Sequence, residues 1–156
     1  PTVLDLADIE PAHTHFARSL VPQLHGDRGD PNRAAFAEGG YDRHEPHCFE
    51  GHVGGDQFLR DPAHIYWPKA HLQQTDPLTV CRAVMVRTLD HKLVRRPLER
   101  SELYDLRADP QEPHNVYDDP RYVDVRRSLE ARLLDWYIHT ADVTPLHEDP
   151  RGHARP

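Results

Sequence analysis

The chain has 156 residues, enough for one ordinary domain with a real core, but it is 37% hydrophobic, holds 15 prolines and has a mean hydropathy of −0.79. Loops therefore take a large share of it, and a net charge of −7 argues against a nucleic-acid partner, whose phosphates reward a basic face. No apolar run approaches the ~20 residues of a membrane span, so no membrane partner is expected, and no signal peptide is visible.

The chain opens at Pro1 directly on the apolar stretch PTVLDLADIEP, with no initiator Met. The expectation is a fragment of a longer protein, with residues 1–33 as the remnant of a junction. Val3, Leu4 and Leu6 predict one or two helical turns, with Pro1 suited to a first helical position. Leu20, Val21 and Leu24 predict a short apolar docking segment within an otherwise loop-like stretch. RAAFAEGG (33–40) predicts a short buried strand, closed by the Gly39-Gly40 breaker.

From 41 to 80 there is no sustained period, and the expectation is a long irregular insertion with short helical pieces. It is rich in His and aromatics. His44, His47, Cys48 and His52 spell H-x-x-H-C-x-x-x-H, which matches no standard zinc knuckle; a solvated or cleft-lining loop is the reading preferred over a metal site. His64, Tyr66, Trp67, Lys69 and His71 combine rings with a cation, a set that could touch an anionic ring-bearing substrate; packing of Tyr66 and Trp67 on the missing domain is the reading preferred over it. The resulting candidate substrate-binding residues are His44, His47, His64, Trp67 and Lys69. Whether Cys48 and Cys81 pair is left open.

The period sharpens at 81–88, where CRAVMVRT alternates, and LDHKLVRRP returns after a very short turn near Leu89-Asp90, stopped by Pro97. SELYDL (101–106) is a third strand. In the connector that follows, Asp109 is expected to cap one helical turn, with Pro110 first and Glu112 reaching back to the capping N–H. Asn115 is expected to serve the reversal through its tolerance of turn conformations. Asp119-Pro120 then starts a helix whose apolar stripe runs Val125, Leu129, Leu133 and Trp136 or Tyr137, expected as core. Residues 141–156 form a polar tail. The predicted class is α+β: a small antiparallel sheet packed against a long C-terminal helix, occupying 34–140.

The order of these pieces resembles the C-terminal part of the sulfatase family, in the alkaline-phosphatase-like superfamily. ELYDLRADPQEPHNV resembles the family's (E)LYDL…DPxExxN(L/V) signature, and PTVLDLADIEP resembles PTxLxLAGI, with Asp8 where Gly is common. ARSLVPQLHG, AFAEGG, VMVRTLDHKLVRRP and LEARLLDWYIHTADVTP resemble further blocks in the family's order. The resemblance implies a parent that hydrolyses sulfuric esters with a formylglycine made from a C/S-x-P-x-R motif beside a divalent metal, calcium as a rule. Neither Cys48 nor Cys81 sits in that motif, so no catalytic residue and no metal ligand is assigned to this chain. The implied partners are the N-terminal catalytic domain, which this subdomain would support while walling the substrate cleft, and a sulfated small molecule or sugar. A phosphoester or phosphonate hydrolase of the same superfamily is the alternative within enzymes. A stand-alone His-rich binding module is the alternative outside them.

Overall fold

A computed structural model describes residues 1–41 and 61–143, without the side chains of 69, 70, 73, 74, 77 and 79. His44, His47, Cys48, His52 and the tail beyond 143 lie outside the described residues. The chain divides into two compact units, Ala34–Ala131 and Pro1–Arg33 with Arg132–Pro156.

In the unit that contains the N-terminus, α1 (Thr2–Leu6) and α2 (Val21–Leu24) are both about one turn long. Pro1 precedes the first helical residue rather than occupying it, and its carbonyl accepts from Asp5 N–H at 2.8 Å. Each helix ends in the same device, a residue in the left-handed region followed by a bond back across the last turn. After α1, Asp8 has φ 53, and Ile9 N–H donates to Leu4 O at 2.9 Å. After α2, Gly26 has φ 97, and Asp27 N–H donates to Pro22 O at 3.0 Å. A further bond from Leu20 N–H to Thr2 Oγ1, 3.0 Å, ties the start of α2 to α1. The apolar side chains of these helices are not covered: Val3, Leu6 and Leu24 are each more than 60% exposed.

The other unit holds the sheet. Strands β1 (Ala35–Gly39), β2 (Ala83–Arg87), β3 (His91–Arg95) and β4 (Glu102–Asp105) form an antiparallel meander in the order β1-β2-β3-β4. The register sets Phe36 against Val86, Val86 against Leu93, and Leu93 against Leu103, one row running across all four strands. Val86, Leu93 and Leu103 are fully buried, and burial of each such side chain is worth about 1.5–3 kcal/mol. Thr88 holds the tight β2–β3 turn, its Oγ1 accepting from His91 N–H at 3.0 Å. The expectation of a buried β1 is corrected: apart from half-buried Phe36 its residues are exposed, because among the described residues it is an edge strand with one neighbour. Gly40 (φ 88) lets the chain leave that edge, since a Cβ there would collide with the backbone of Cys81.

The insertion contributes α3 (Trp67–Thr75), followed by a 3-10 turn, Pro77–Val80, capped by Asp76. Cys81 is buried.

Between β4 and the last helix the connector departs from the predicted capped turn. Asp109 accepts not within a helix but from His114 N–H, at 2.9 Å, and Glu112 takes φ 60 with its carboxylate paired to Lys92 on β3. Asn115 does not serve as a flexible reversal residue either. Its Oδ1 accepts from Leu103 N–H and Tyr117 N–H, and its Nδ2 donates to Ser101 O. Asp119 caps as expected, accepting from Arg121 N–H at 2.9 Å, with Pro120 starting a 3-10 turn that leads into α4 (Val123–Thr140). On α4, Leu129 and Leu133 are buried, while Tyr137 is exposed and so is not core as expected; Trp136 is half-buried. A polar clamp joins β3 to this helix. Arg95 donates to Tyr117 Oη and lies 3.6 Å from Glu130 Oε1, while Tyr117 O–H donates to the same Glu130 oxygen at 3.2 Å. The guanidinium of Arg126 sits 4.8 Å from the centre of the Tyr117 ring.

Candidate functional site

Two side-chain clusters in the sheet unit stand out as chemistry-bearing. The first is the aromatic entry to α3. His64 and Tyr66 have ring centroids 5.8 Å apart, and His64 Nδ1 accepts from Tyr66 N–H at 3.2 Å. One helical turn joins Trp67 to His71, and their rings stack face to face at 4.6 Å with an interplanar angle of 8°. Tyr66 is 63% exposed. Of the predicted substrate residues, His64 and Trp67 therefore fall in one short segment, each against a second ring. The Lys69 side chain, like His44 and His47, lies outside the described residues.

The second cluster lies on the sheet face opposite the buried row, where strand alternation puts Lys92, Glu102 and Tyr104 on one side and Arg96, just past β3, reaches Glu102. Glu102 accepts from Arg96 Nε at 2.8 Å and from Tyr104 O–H at 2.8 Å. Lys92 Nζ pairs with Glu112 and sits 5.6 Å from the Tyr104 ring centroid. Burial pushes the Glu102 carboxyl up, but the hydrogen bonds from Arg96 and Tyr104, with the charges of Arg96 and Lys92, outweigh it and hold it below the usual carboxylate range. Burial, reinforced by the bond to Glu102, pushes the Tyr104 phenol up to about 12. A phenol held there is no acid or base near neutrality. Every charge in the cluster has a partner, so it is a satisfied network that stiffens the sheet. Sequence reading did not single out Glu102 or Tyr104; the E-L-Y alternation, which sets them on one face, was the available signal.

Among the described residues no group of three or more His, Cys, Asp or Glu is arranged to hold a metal ion. Nor is any described helix long and apolar enough to cross a membrane.

Comparison with known proteins places this architecture. Residues 63–138, from the aromatic turn through most of α4, match the sequence model of the N-sulphoglucosamine sulphohydrolase C-terminal family. An uncharacterized sulfatase of Escherichia coli (strain K12), YidJ, is 49% identical over 49 residues, which are 31% of this chain and 10% of that protein. Over these residues the chain is similar to the C-terminal part of sulfatases.

Among solved structures, a phosphonate monoester hydrolase of Agrobacterium radiobacter is 27% identical with a TM-score of 0.58, the match covering 100% of this chain and 28% of that one. A protein solved in complex with its substrate D-glucosamine-2-N,6-O-disulfate matches at 22% identity and a TM-score of 0.57, covering 96% of this chain and 25% of its own, and shows the shared fold. The match thus spans 28% and 25% of these two solved relatives. The antiparallel sheet with its C-terminal helix is an α+β arrangement that matches a C-terminal subdomain of sulfatase-like folds, as the resemblance of the sequence blocks implied. The VMVRTLDHKLVRRP block is the β2–β3 hairpin, LYDL is β4, and DPxExxN is the connector whose Glu and Asn bind back to the sheet.

Proposed function

We propose that this chain is the C-terminal portion of a sulfuric ester hydrolase, non-catalytic by itself, which supports a catalytic domain and walls its substrate cleft. The observation that carries the reading is the family match over residues 63–138, which takes in the hairpin, β4, the connector and α4 together. The identity to the E. coli sulfatase supports it. In this reading the catalytic domain supplies the nucleophile and a calcium ion, which would neutralise the sulfate charge. In this reading His64 and Trp67 face the substrate, the role that the sequence leads one to expect of His44, His47 and Lys69 as well. The substrate class is a sulfated small molecule or sugar, consistent with the disulfated glucosamine bound by one structural relative.

The uncovered side chains of Val3, Leu6 and Leu24 fit the same reading, because exposed apolar groups on short helices gain from a partner surface. The test is an assay of the longer polypeptide against an aryl sulfate and an aryl phosphonate monoester in parallel, with its Cys or Ser at C/S-x-P-x-R replaced by Ala. Preferred sulfate turnover, lost in that variant, is expected.

A second reading is favoured by one observation, the 27% identity to the phosphonate monoester hydrolase over the whole chain. Preferred phosphonate turnover in the same assay would establish it and displace the first.

A further inference from the structure

We infer that His13 and His15, in the segment between α1 and α2, form a two-nitrogen chelate for a divalent transition ion of the zinc class. The inference does not rest on the sulfatase reading. Thr14 is half-buried while His13 and His15 are exposed, the alternation of extended backbone, which sets residues i and i+2 on one side. Their imidazole rings meet there, with centroids 6.2 Å apart and planes at 64°. A tetrahedral ion bonded to one nitrogen of each ring at about 2.0–2.1 Å would set the ring centres roughly 5 Å apart. Two solvent-exposed rings can close the remaining distance by side-chain rotation alone.

A second observation fixes which nitrogen His15 offers. Its Nδ1 lies 3.1 Å from the carbonyl oxygen of Ala17. A carbonyl only accepts, so Nδ1 bears the proton and donates it, and Nε2 is left with the lone pair that binds a metal. Metal-binding histidines are as a rule oriented in this way, one ring nitrogen donating while the other ligates. The charges of the segment agree. From Thr2 to Leu24 the formally charged side chains are Asp5, Asp8, Glu10 and Arg18, and Arg18 is 3.9 Å from Asp30. That excess of carboxylates favours a cation over an anion. The imidazoles then select its class, since nitrogen ligands suit zinc, copper and nickel, whereas calcium takes oxygens. The pair is therefore distinct from the calcium expected in the catalytic domain. With two protein ligands, fewer than a structural or catalytic zinc site has, the remaining positions are left to water or to a further donor.

The experiment is a titration of the full 156-residue chain with Zn2+, and separately with Ca2+, followed by the imidazole Cε1 proton resonances. These report each of the 13 histidines by itself, so binding elsewhere in the chain is not mistaken for this site. His13 and His15 are expected to move together, with one midpoint, on addition of Zn2+ and to stay unmoved with Ca2+. His13→Ala should raise the midpoint read at His15 on the order of tenfold, and His15→Ala the midpoint read at His13, because each variant turns a chelate into a single contact. His25→Ala, at the residue that ends α2, should leave the midpoint as in the parent. All three histidines are exposed, so unchanged circular dichroism is expected of each variant. Zn2+ that moves neither ring, or only one of them, would overturn the inference, whatever the other histidines do. So would single variants that bind as tightly as the parent, or an equal response to Ca2+, which marks a carboxylate site. None of these outcomes reads ester hydrolysis, so the chelate can fail while the sulfatase reading stands.

Discussion

The side chain of Asn115 completes the open edge of β4, its Oδ1 accepting from Leu103 N–H at 3.1 Å. Its Nδ2 donates to Ser101 O at 3.1 Å, and the next residue, Val116, donates its N–H to Leu103 O at 2.8 Å. Asn115 and Val116 thus act as a two-residue strand against β4, satisfying backbone groups that an edge would leave to water. This gives a physical reason for an amide followed by an apolar residue at this point of the sulfatase signature. Asn115→Ala should cost roughly 2–3 kcal/mol in chemical denaturation, since it removes three bonds and strands partly buried groups beside the core residue Leu103. Asn115→Asp keeps the acceptor and loses only the donation to Ser101, so it should cost less. Equal losses in the two variants would mean that the edge-completing geometry is not what Asn115 contributes.

A second expectation comes from the ends of the short helices. Asp8 and Gly26 hold the same left-handed position after α1 and α2, yet only one is glycine. A side chain in that region costs energy that glycine does not meet. Asp8→Gly is therefore expected to stabilise the end of α1 by about 0.5–1 kcal/mol, and Gly26→Asp to weaken α2 by a similar amount. Hydrogen exchange of the Ile9 amide, which bonds Leu4 O, reads this locally. Faster exchange in Asp8→Gly would contradict it. The glycine common at this point in the family is thus explained by backbone conformation, with no appeal to chemistry.

What the sequence made legible follows the range of the interactions. The β2–β3 hairpin, β4 and the Asp119-capped helix are specified by neighbours within a few residues, and each stands where alternation or helical spacing put it. The connector was misread because its side chains act over distance: Glu112 pairs with Lys92 and Asn115 with Leu103, 20 and 12 positions away. Local capping rules do not see such partners. Burial of β1 and Tyr137 was overestimated for a related reason, since exposure depends on what covers an element rather than on its own residues. In the candidate site, composition pointed to His64 and Trp67, but the stacking of Trp67 on His71 became apparent only with the start of α3 fixed at Trp67.

The pH dependence separates Glu102 from Tyr104. The folded-state carboxyl of Glu102 is held below its ordinary 4.5, so its network contributes stability above that pH and loses it as the pH falls through the lowered value. The phenol of Tyr104 is raised from 10.0 to about 12, so its contribution is complete below pH 10 and is lost as the pH rises towards 12. Glu102→Gln should flatten the acid limb of the melting-temperature profile. Tyr104→Phe should remove the latest-titrating phenol from the ultraviolet absorbance titration. A Tyr104 that titrates with the exposed tyrosines would contradict the network as described.

The central claim, that these residues support and shape a sulfatase active site without containing its chemistry, is met most directly by one comparison. The purified 156-residue chain and the longer polypeptide would be assayed side by side for hydrolysis of an aryl sulfate. The account predicts turnover by the longer polypeptide and none above background by the chain alone. Turnover by the chain alone would contradict it.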